Sequence, residues 1–511
     1  MPGIQPVYDP TNKQINEAGE SERQHRVELI NTYWAYYRDG GIRRPLKVKP
    51  GKPDDNVMLN FSKQGIDRLV SFFTPKPPRF NVPGGSEQKK GANGKLATAL
   101  SPEQEAVNAF LENNTFDDLI TDVGLSGFIS GHNFMRLYLP ETAPEAMSAA
   151  NPPRMALLDP RHIIKFWDIS DTQRTLFYRL TWDLGDDNHR RQDIVPTWLL
   201  AGLTSPSQMT QVTNEDGTTA DVRYVGWWII EYEKKKGSTE YTKVGEDSWP
   251  YPFAPVVDWK NKHKPHECYG ESDLCGADLN DSINFIASNT SRIIKFHAHP
   301  KTIGKGVDPG SITATSVDGF YTIPDTADIF NVEMQSDLSS SMTYLDTLRN
   351  AYMSQMHVVD LSGIKDKLGQ LTSFAVRMLF KDMLDATNAK RMLYGNGLSE
   401  VVYRATVMMG LTLEKKPTDE WDDPLPEDRT AEVASLKVEK DMGVVSKQTI
   451  QEELGRDPAV EDERMGEEKD DAMEAMVNTL TKVNQNGNGG FMNNQPRGFP
   501  NGNGQRVPVA K

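Results

Sequence analysis

Between Ser272 and His299 the sequence "SDLCGADLNDSINFIASNTSRIIKFHAH" keeps one helical period without a break. Leu279, Ile283, Ile286, Thr290 and Ile293 recur at helical spacing and share one face. Ser272 can cap the start, and Pro300 forbids continuation past the end. Asp273, Asp278 and Asp281 stand toward the positive end of the helix dipole, and Arg292, Lys295 and His297 toward the negative end. At 1.5 Å per residue this predicts a rod of ~40 Å, long for a globular domain. Residues 299–338, rich in Gly, Pro and Asp, come next, with short strands expected at "GFYTIP" and "DIFNVEM". A second helix begins at the serine cluster Ser339 to Ser341 and runs through "MTYLDTLRNAYMSQMHVV". Two helices around a small β excursion describe a projecting stalk with a tip. A polar break, Asp360 to Ser373, separates it from the long helical pattern "FAVRMLFKDMLDATNAKRMLYGNGLSEVVYRATVMMG", with Gly395 and Gly397 as expected bends.

The chain ahead of the stalk reads as a mixed α+β body over residues 21–260. Residues 1–20 are polar and expected to be loose. Helices are predicted at "SERQHRVELINTYWAYYRDGG" and "DNVMLNFSKQGIDRLVSFF", the second closed by the prolines of "TPKPPR". Residues 81–100 read as a loop. "SPEQEAVNAFLENN" offers Ser101 as N-cap, Pro102 at the first helical position and Gln104 to complete a capping box. Then the period changes. "TLFYRLTWD" alternates, which predicts a half-buried strand, with "HIIKFWDI", "DVRYVGWWIIEYE" and the return "KKKGSTEYTKV" as partners.

The formal net charge of −15 argues against a general nucleic-acid binder. The excess is local, however. Leu411 to Asp470 holds 19 Asp or Glu against 9 Lys or Arg, while "GIRRPLKVKPGK" (Gly41 to Lys52) is a basic patch. That acidic district contains two helical stretches, "GVVSKQTIQEELG", capped by Ser446, and "DERMGEEKDDAMEAMVNTLTKV". The Asn/Gly-rich residues beyond them have too little apolar surface to order. No apolar run is long enough to span a membrane, and the N-terminus lacks the pattern of a secretion signal. Two cysteines cannot build a disulfide framework, which fits a reducing cytosol.

The stretch "HKPHECYGESDLCGAD" holds both cysteines with His263 and His266 just ahead, residue types that zinc prefers. Its spacings are irregular, and "HECYG" has Gly270 where a zincin motif needs histidine. A phosphate-binding loop is absent, and "GLSGF" around Ser126 lacks the spacing of a nucleophile elbow. Neither an enzyme nor a cofactor or metal is therefore expected. A metal-dependent hydrolase using the His263–Cys275 region stands as the rival reading. The basic residues Arg292, Lys295, Lys365 and Lys367 lie on the stalk and the break after it.

Several segments, in this order, resemble the portal (head-to-tail connector) proteins of tailed double-stranded DNA bacteriophages. They are "YWAYYRDG", "DNVMLNFSKQGIDRLVSFFTPKPPR", "DVGLSGFISGHNFMRLYLPE", "LLDPRHIIKFWD", "PYPFAPVVDWKNK" with "YGESDL", "LTSFAVRMLF", and "PLPEDRTAEVASLKVEKDMGVVSKQTIQEELG". The resemblance spans residues 22–470, and the two cysteines are not part of it. It implies an elongated, predominantly helical α+β subunit assembled as a ring, usually of twelve copies. Its parts would be a flexible arm (1–20), a mixed α/β wing (21–270 and 373–440), stem helices (271–298 and 339–359), a β-containing clip (299–338), a tunnel loop (360–372), a helical crown (441–482) and a disordered tail (483–511). It also implies a place at the capsid vertex of the virion, with assembly in the host cytoplasm. Expected partners are copies of itself, a terminase or packaging motor, a head–tail adaptor, major capsid and scaffolding proteins, and double-stranded DNA in the channel. No membrane is expected. Lys365 or Lys367 would face DNA at the constriction, with Arg292 and Lys295 further along the stem.

Overall fold

A computed structural model describes residues 3–466, apart from 43, 49, 52–53, 91–95, 141–146, 186–187, 214–218, 239, 299–301, 306–327, 332–337, 360–372, 426–428, 455–460 and 463. The chain divides into two compact units, Met1–Glu87 with Thr98–Glu427, and Gln88–Ala97 with Asp428–Lys511. The helices are α1 (Lys13–Asp39), α2 (Phe61–Phe73), α3 (Pro102–Asn113), α4 (Phe116–Ser130), α5 (Thr197–Leu200), α6 (Asp278–Ala298), α7 (Leu338–Gln355), α8 (Ser373–Leu379), α9 (Lys381–Met408), α10 (Arg429–Asp441) and α11 (Lys447–Glu453). The strands are β1 (Gly3–Ile4), β2 (Arg79–Asn81), β3 (Ser86–Lys90), β4 (Leu96–Leu100), β5 (His132–Tyr138), β6 (Arg154–Leu158), β7 (Ile163–Asp168), β8 (Asp171–Gly185) and β9 (Asn188–Pro196). After them come β10 (Met209–Thr213), β11 (Thr219–Arg223), β12 (Trp227–Lys234), β13 (Thr242–Trp249), β14 (Val256–Lys260), β15 (Thr302–Lys305), β16 (Asp328–Asn331) and β17 (Thr418–Glu420). The fold class is α+β.

The larger unit is built on a sheet ordered β1-β7-β8-β9-β12-β13 and a second ordered β14-β5-β6. From β7 to β13 neighbouring strands run antiparallel, while β1 joins the open edge of β7 in parallel, Gly3 opposite Trp167. One main core gathers Phe73, Phe128, Phe134, Tyr178, Leu180, Trp259, Tyr394 and Val401, so side chains of both sheets and of α2, α4 and α9 share it. A second cluster, with Phe166, Phe177, Val195 and Trp198, lies under Ile4, Tyr8 and Ile15.

That second cluster corrects two expectations. The strand read as half-buried carries buried side chains on both faces, among them Leu176, Phe177, Tyr178, Arg179 and Leu180. The residues read as a loose arm over 1–20 are what cover its second face. Tyr8 donates from its hydroxyl to Asp193 at 3.0 Å and stacks edge-on against Phe177, and Asn12 caps α1, which already begins at Lys13. Below them Asp193 is fully buried between Arg179 and Arg191.

Other boundaries move for identifiable reasons. Residues 81–100, read as a loop, carry β3 and β4. The capping box at α3 is half made: Ser101 Oγ accepts from Gln104 N, but the Gln104 amide turns instead to the backbone of Phe80 and Val82, at 2.8 Å each. It there substitutes for a strand neighbour of β2. The second helix starts at Phe61 rather than at Asp55, because the residues before it bond to α6. Helix α6 itself starts at Asp278, six residues after Ser272. Gly276 sits at φ +88 with Gln355 packed where a side chain would be, so the helix cannot extend upstream. Gly395 and Gly397 do not interrupt the long helix. Both lie inside α9, where a Cβ at Gly397 would come 2.6 Å from Trp259 Cδ2, and the break falls at Phe380 instead. Of the strands expected between α6 and α7, "DIFNVEM" is represented by β16, antiparallel to β15, and "GFYTIP" lies outside the described residues. In the smaller unit Ser446 caps α11 as expected, Oγ accepting from Thr449 N at 3.1 Å.

Candidate functional site

Helices α6 and α7 pack against each other. What anchors α6 to the body is a polar ladder along one face, formed by residues four apart. Asn280 Oδ1 accepts from Phe61 N at 3.3 Å, and its amide donates to Leu59 O at 3.0 Å and to Gly40 O. Asn284 Oδ1 accepts from Leu59 N at 2.8 Å, and its amide donates to Gly40 O at 2.9 Å. Ser288 Oγ accepts from Val57 N at 2.9 Å and donates to Val57 O at 3.1 Å. Arg292 closes the ladder, with Nε and Nη2 on the two Asp55 oxygens at 2.9 and 2.6 Å.

The register follows from geometry. Four helical residues rise ~6 Å and two residues of an extended chain rise ~6.6 Å, so alternate backbone positions 61, 59, 57 and 55 meet helix positions 280, 284, 288 and 292 in turn. Asn280, Asn284 and Ser288 are fully buried, and their side chains supply the partners that the backbone at 57–61 would otherwise find in a sheet. Each bond contributes about 1 kcal/mol net, and each buried group left without one would cost ~1–3 kcal/mol. Tyr36 adds a rung from α1, donating to Asp281 Oδ2 at 2.8 Å.

The chain just ahead of α6 is tied down by charge. Asp273 is buried and meets Lys390 Nζ at 2.6 Å, Lys262 Nζ at 2.9 Å and Asn261 Nδ2 at 3.0 Å. Burial alone would raise its carboxyl, but the two lysines outweigh this and hold it below the usual range. Asn261 Oδ1 accepts from Tyr394 of α9, and Ser272 Oγ donates to Phe128 O at the end of α4. The segments "VVDWKNK" and "YGESDL" therefore form the joint where α4, β14, α6 and α9 meet.

A second buried cluster lies behind the joint. Asp258 accepts from Tyr178 at 2.5 Å, Lys165 at 2.8 Å and His132 Nε2 at 3.0 Å. Gly270 N donates to His132 Nδ1, so the ring proton is on Nε2. Burial would raise the Asp258 carboxyl, yet Lys165 and His132 hold it far below its ordinary value, while burial keeps His132 neutral. These groups line a cavity of about 750 Å³ together with His263 and Cys268. That is where the metal-dependent rival would have its site. Cys268 is buried and its thiol is pushed up to about 11 by burial, which keeps it protonated and a poor ligand or nucleophile. Cys275 is exposed, and among the described residues no three of His, Cys, Asp and Glu gather to hold a metal ion.

Of the four basic residues singled out in the sequence, Arg292 is committed to Asp55, whose carboxyl it holds below the usual range. Lys295 is exposed at the next turn of α6, and Lys365 and Lys367 lie outside the described residues. The helix signal of α6 comes from its apolar face, and the ladder residues lie beside that face. The signal was Asn280, Asn284 and Ser288 at intervals of four, too regular for surface decoration.

A family model described as "Phage portal protein, SPP1 Gp6-like" matches residues 14–475. The chain belongs to this family. Among solved structures, chains from the "Virion of native gene transfer agent (GTA) particle" and the "Neck of native GTA particle computed with C12 symmetry" are similar at TM-scores of 0.42 and 0.41. Each is 11% identical and covers 78% of this chain and 90% of its own. None of the curated proteins matches. Among the described residues no helix of this portal-family chain is long and apolar enough to cross a membrane.

Proposed function

We propose that this portal-family chain assembles as a ring, of twelve copies by family resemblance, at one vertex of a capsid. Its channel conducts double-stranded DNA during packaging and ejection, and its outer parts dock a packaging motor and a head–tail adaptor. The role is mechanical, with no catalysis by the chain. The observation that carries this reading is a helix pair anchored to the larger unit by a buried polar ladder, in a chain that matches the portal family nearly throughout.

A conduit for a polyanion must not hold it, because each neutralised phosphate releases counterions and adds affinity. The exposed side chains of α6 and α7 give no strongly attractive surface: Ser282, Asn289, Ser340, Thr343, Thr347, Asn350 and Ser354 are uncharged and polar, Phe285, Ile294, Met342 and Tyr344 are apolar or aromatic, and the charged ones are Asp278, Lys295 and Asp346. In this reading α6 and α7 form the stem, residues 299–338 the clip, 360–372 the tunnel loop and 441–482 the crown, with wing segments at 21–270 and 373–440. Lys365 or Lys367 faces the duplex at the narrowest point, and an acidic crown keeps DNA centred by repulsion. The clip docks the adaptor or the motor, so deleting Gly310 to Gly319 should abolish tail attachment with rings intact.

Native mass spectrometry with electron-microscope images of the purified full chain tests the assembly. Closed particles of about twelve subunits with a central hole are expected, and a monomer or a particle without a hole refutes it.

A further inference from the structure

A groove within the larger unit takes no part in the reading above. It encloses about 1010 Å³ between β2, the end of α3 and the start of α4. Ligand pockets span about 300–1,000 Å³, so this one has room for several side chains. Its floor is apolar: Phe80, Val82 and Phe116 are buried there, and Leu111 and Leu100 stand beside them, Leu100 still 44% exposed. The edge of β2 is closed to a further strand, because the Gln104 amide already bonds to Phe80 O and Val82 N. A guest in the groove therefore meets side chains rather than a free ladder of backbone groups.

One rim of the groove is acidic. Glu112, Asp117 and Asp118 line it and are exposed, and among the described residues their carboxylates make no ion pair and no hydrogen bond. The remaining carboxylate of the lining, Asp422, is held by Lys76 at 2.8 Å. Asp117 and Asp118 suit the first turn of α4, where the helix dipole favours them, but Glu112 stands in the last turn of α3, where the dipole opposes it. Helix chemistry thus accounts for the two aspartates and not for the glutamate. On the same lip, between the two helices, Thr115 holds φ at +47, a left-handed conformation rare for a β-branched residue, and its side chain caps no helix N–H. That turn brings Glu112 and the two aspartates to one opening.

We propose that this groove docks a basic segment of another protein, with an apolar side chain seated against Phe80, Phe116 and Leu100 and flanking Lys or Arg side chains on Glu112, Asp117 and Asp118. The sign of the rim selects against DNA, whose phosphates it repels, and the apolar floor supplies the anchor that a protein side chain can fill and a bare cation cannot. Unpaired carboxylates at an open rim steer such a partner in from solution, and salt weakens that attraction. The proposal does not rest on ring assembly, since every residue it uses belongs to the larger unit of one chain.

The test uses the full chain and a fluorescein-labelled peptide of alternating lysine and leucine, with binding read by anisotropy. The parent is compared with E112Q/D117N/D118N, with L100S, and with E28Q/D39N/D385N, which removes exposed carboxylates elsewhere and matches the first variant in net charge. Mass and Tm are recorded for each. At low salt the groove variant should lose roughly tenfold in affinity or more, L100S several-fold, and the control less than about twofold. The gap between parent and groove variant should close as salt rises. Equal losses in the groove and control variants would mean attraction to bulk charge and overturn the proposal. A parent that does not bind the peptide overturns it, and so does L100S binding as well as the parent. A groove variant that alone fails to assemble makes a second copy of this chain the occupant, which also overturns it. A parent that stays monomeric yet binds as expected refutes the portal reading and leaves the groove assignment standing.

Discussion

At the scale of single residues, buried charge dictates how the body responds to acid. Burial works against the Asp193 carboxylate, but Arg179 and Arg191 overcome it and bring the group from 3.8 down to about 2. A depressed carboxylate stabilises the fold above its unfolded value and loses that contribution as pH falls through the folded one. Asp193 should therefore contribute on the order of 2 kcal/mol above pH ~4, vanishing toward pH 2. Asp258 and Asp273 act in the same direction. His132 acts earlier: it is neutral in the fold but takes up a proton in the unfolded chain below about 6.5, so stability begins to fall there. Denaturant midpoints from pH 7 to 3 should show a shallow decline below 6.5 and a steeper one below 4. A flat profile between 7 and 4 would contradict a neutral His132. Two glycines give a further contrast. Gly397→Ala drives a methyl group against the Trp259 indole and should cost ~1–3 kcal/mol of stability, whereas Gly245→Ala in β13 meets nothing within 4 Å and should leave Tm unchanged.

At the scale of elements, the ladder makes a prediction that no sheet or helix assignment would make. The amides of Val57 and Leu59 belong to no secondary structure, yet Ser288 and Asn284 protect them. Ser288→Ala should speed hydrogen exchange at Val57 about tenfold, and Asn284→Ala should do the same at Leu59, each leaving the other amide slower. Equal loss at both sites would mean that the segment detaches as a whole. Helix periodicity exposed α6 in the sequence because it carries an apolar stripe that local spacing reveals. The ladder was harder to read, since it depends on a match between helix rise and extended-chain rise over more than two hundred residues of separation. The docking of Tyr8 on Asp193 and the turn of Gln104 toward β2 were hidden for the same reason: polar side chains carry no label for distant partners. At Gly397 the sequence shows a missing side chain but not the Trp259 ring that needs its space.

At the scale of the whole molecule, the proposed ring would turn local charges into rings of charge, and Lys365 and Lys367 of the proposed tunnel loop become testable through their multiplicity. In one subunit a lysine at residue 365 or 367 is a single cation. In a closed ring of twelve, the same residue becomes a belt of positive charge around a polyanion, and its effect on DNA grows with each copy while its effect on folding does not. K365Q/K367Q should therefore assemble to the same mass, melt at the same temperature and differ only in how DNA passes. Packaging velocity measured at low and at moderate salt should diverge from the parent mainly at low salt, because screening removes the difference as the Debye length falls toward 8 Å. Identical velocities at both salt concentrations would take these two lysines out of the channel. Failure to assemble would instead make them part of the contact between subunits.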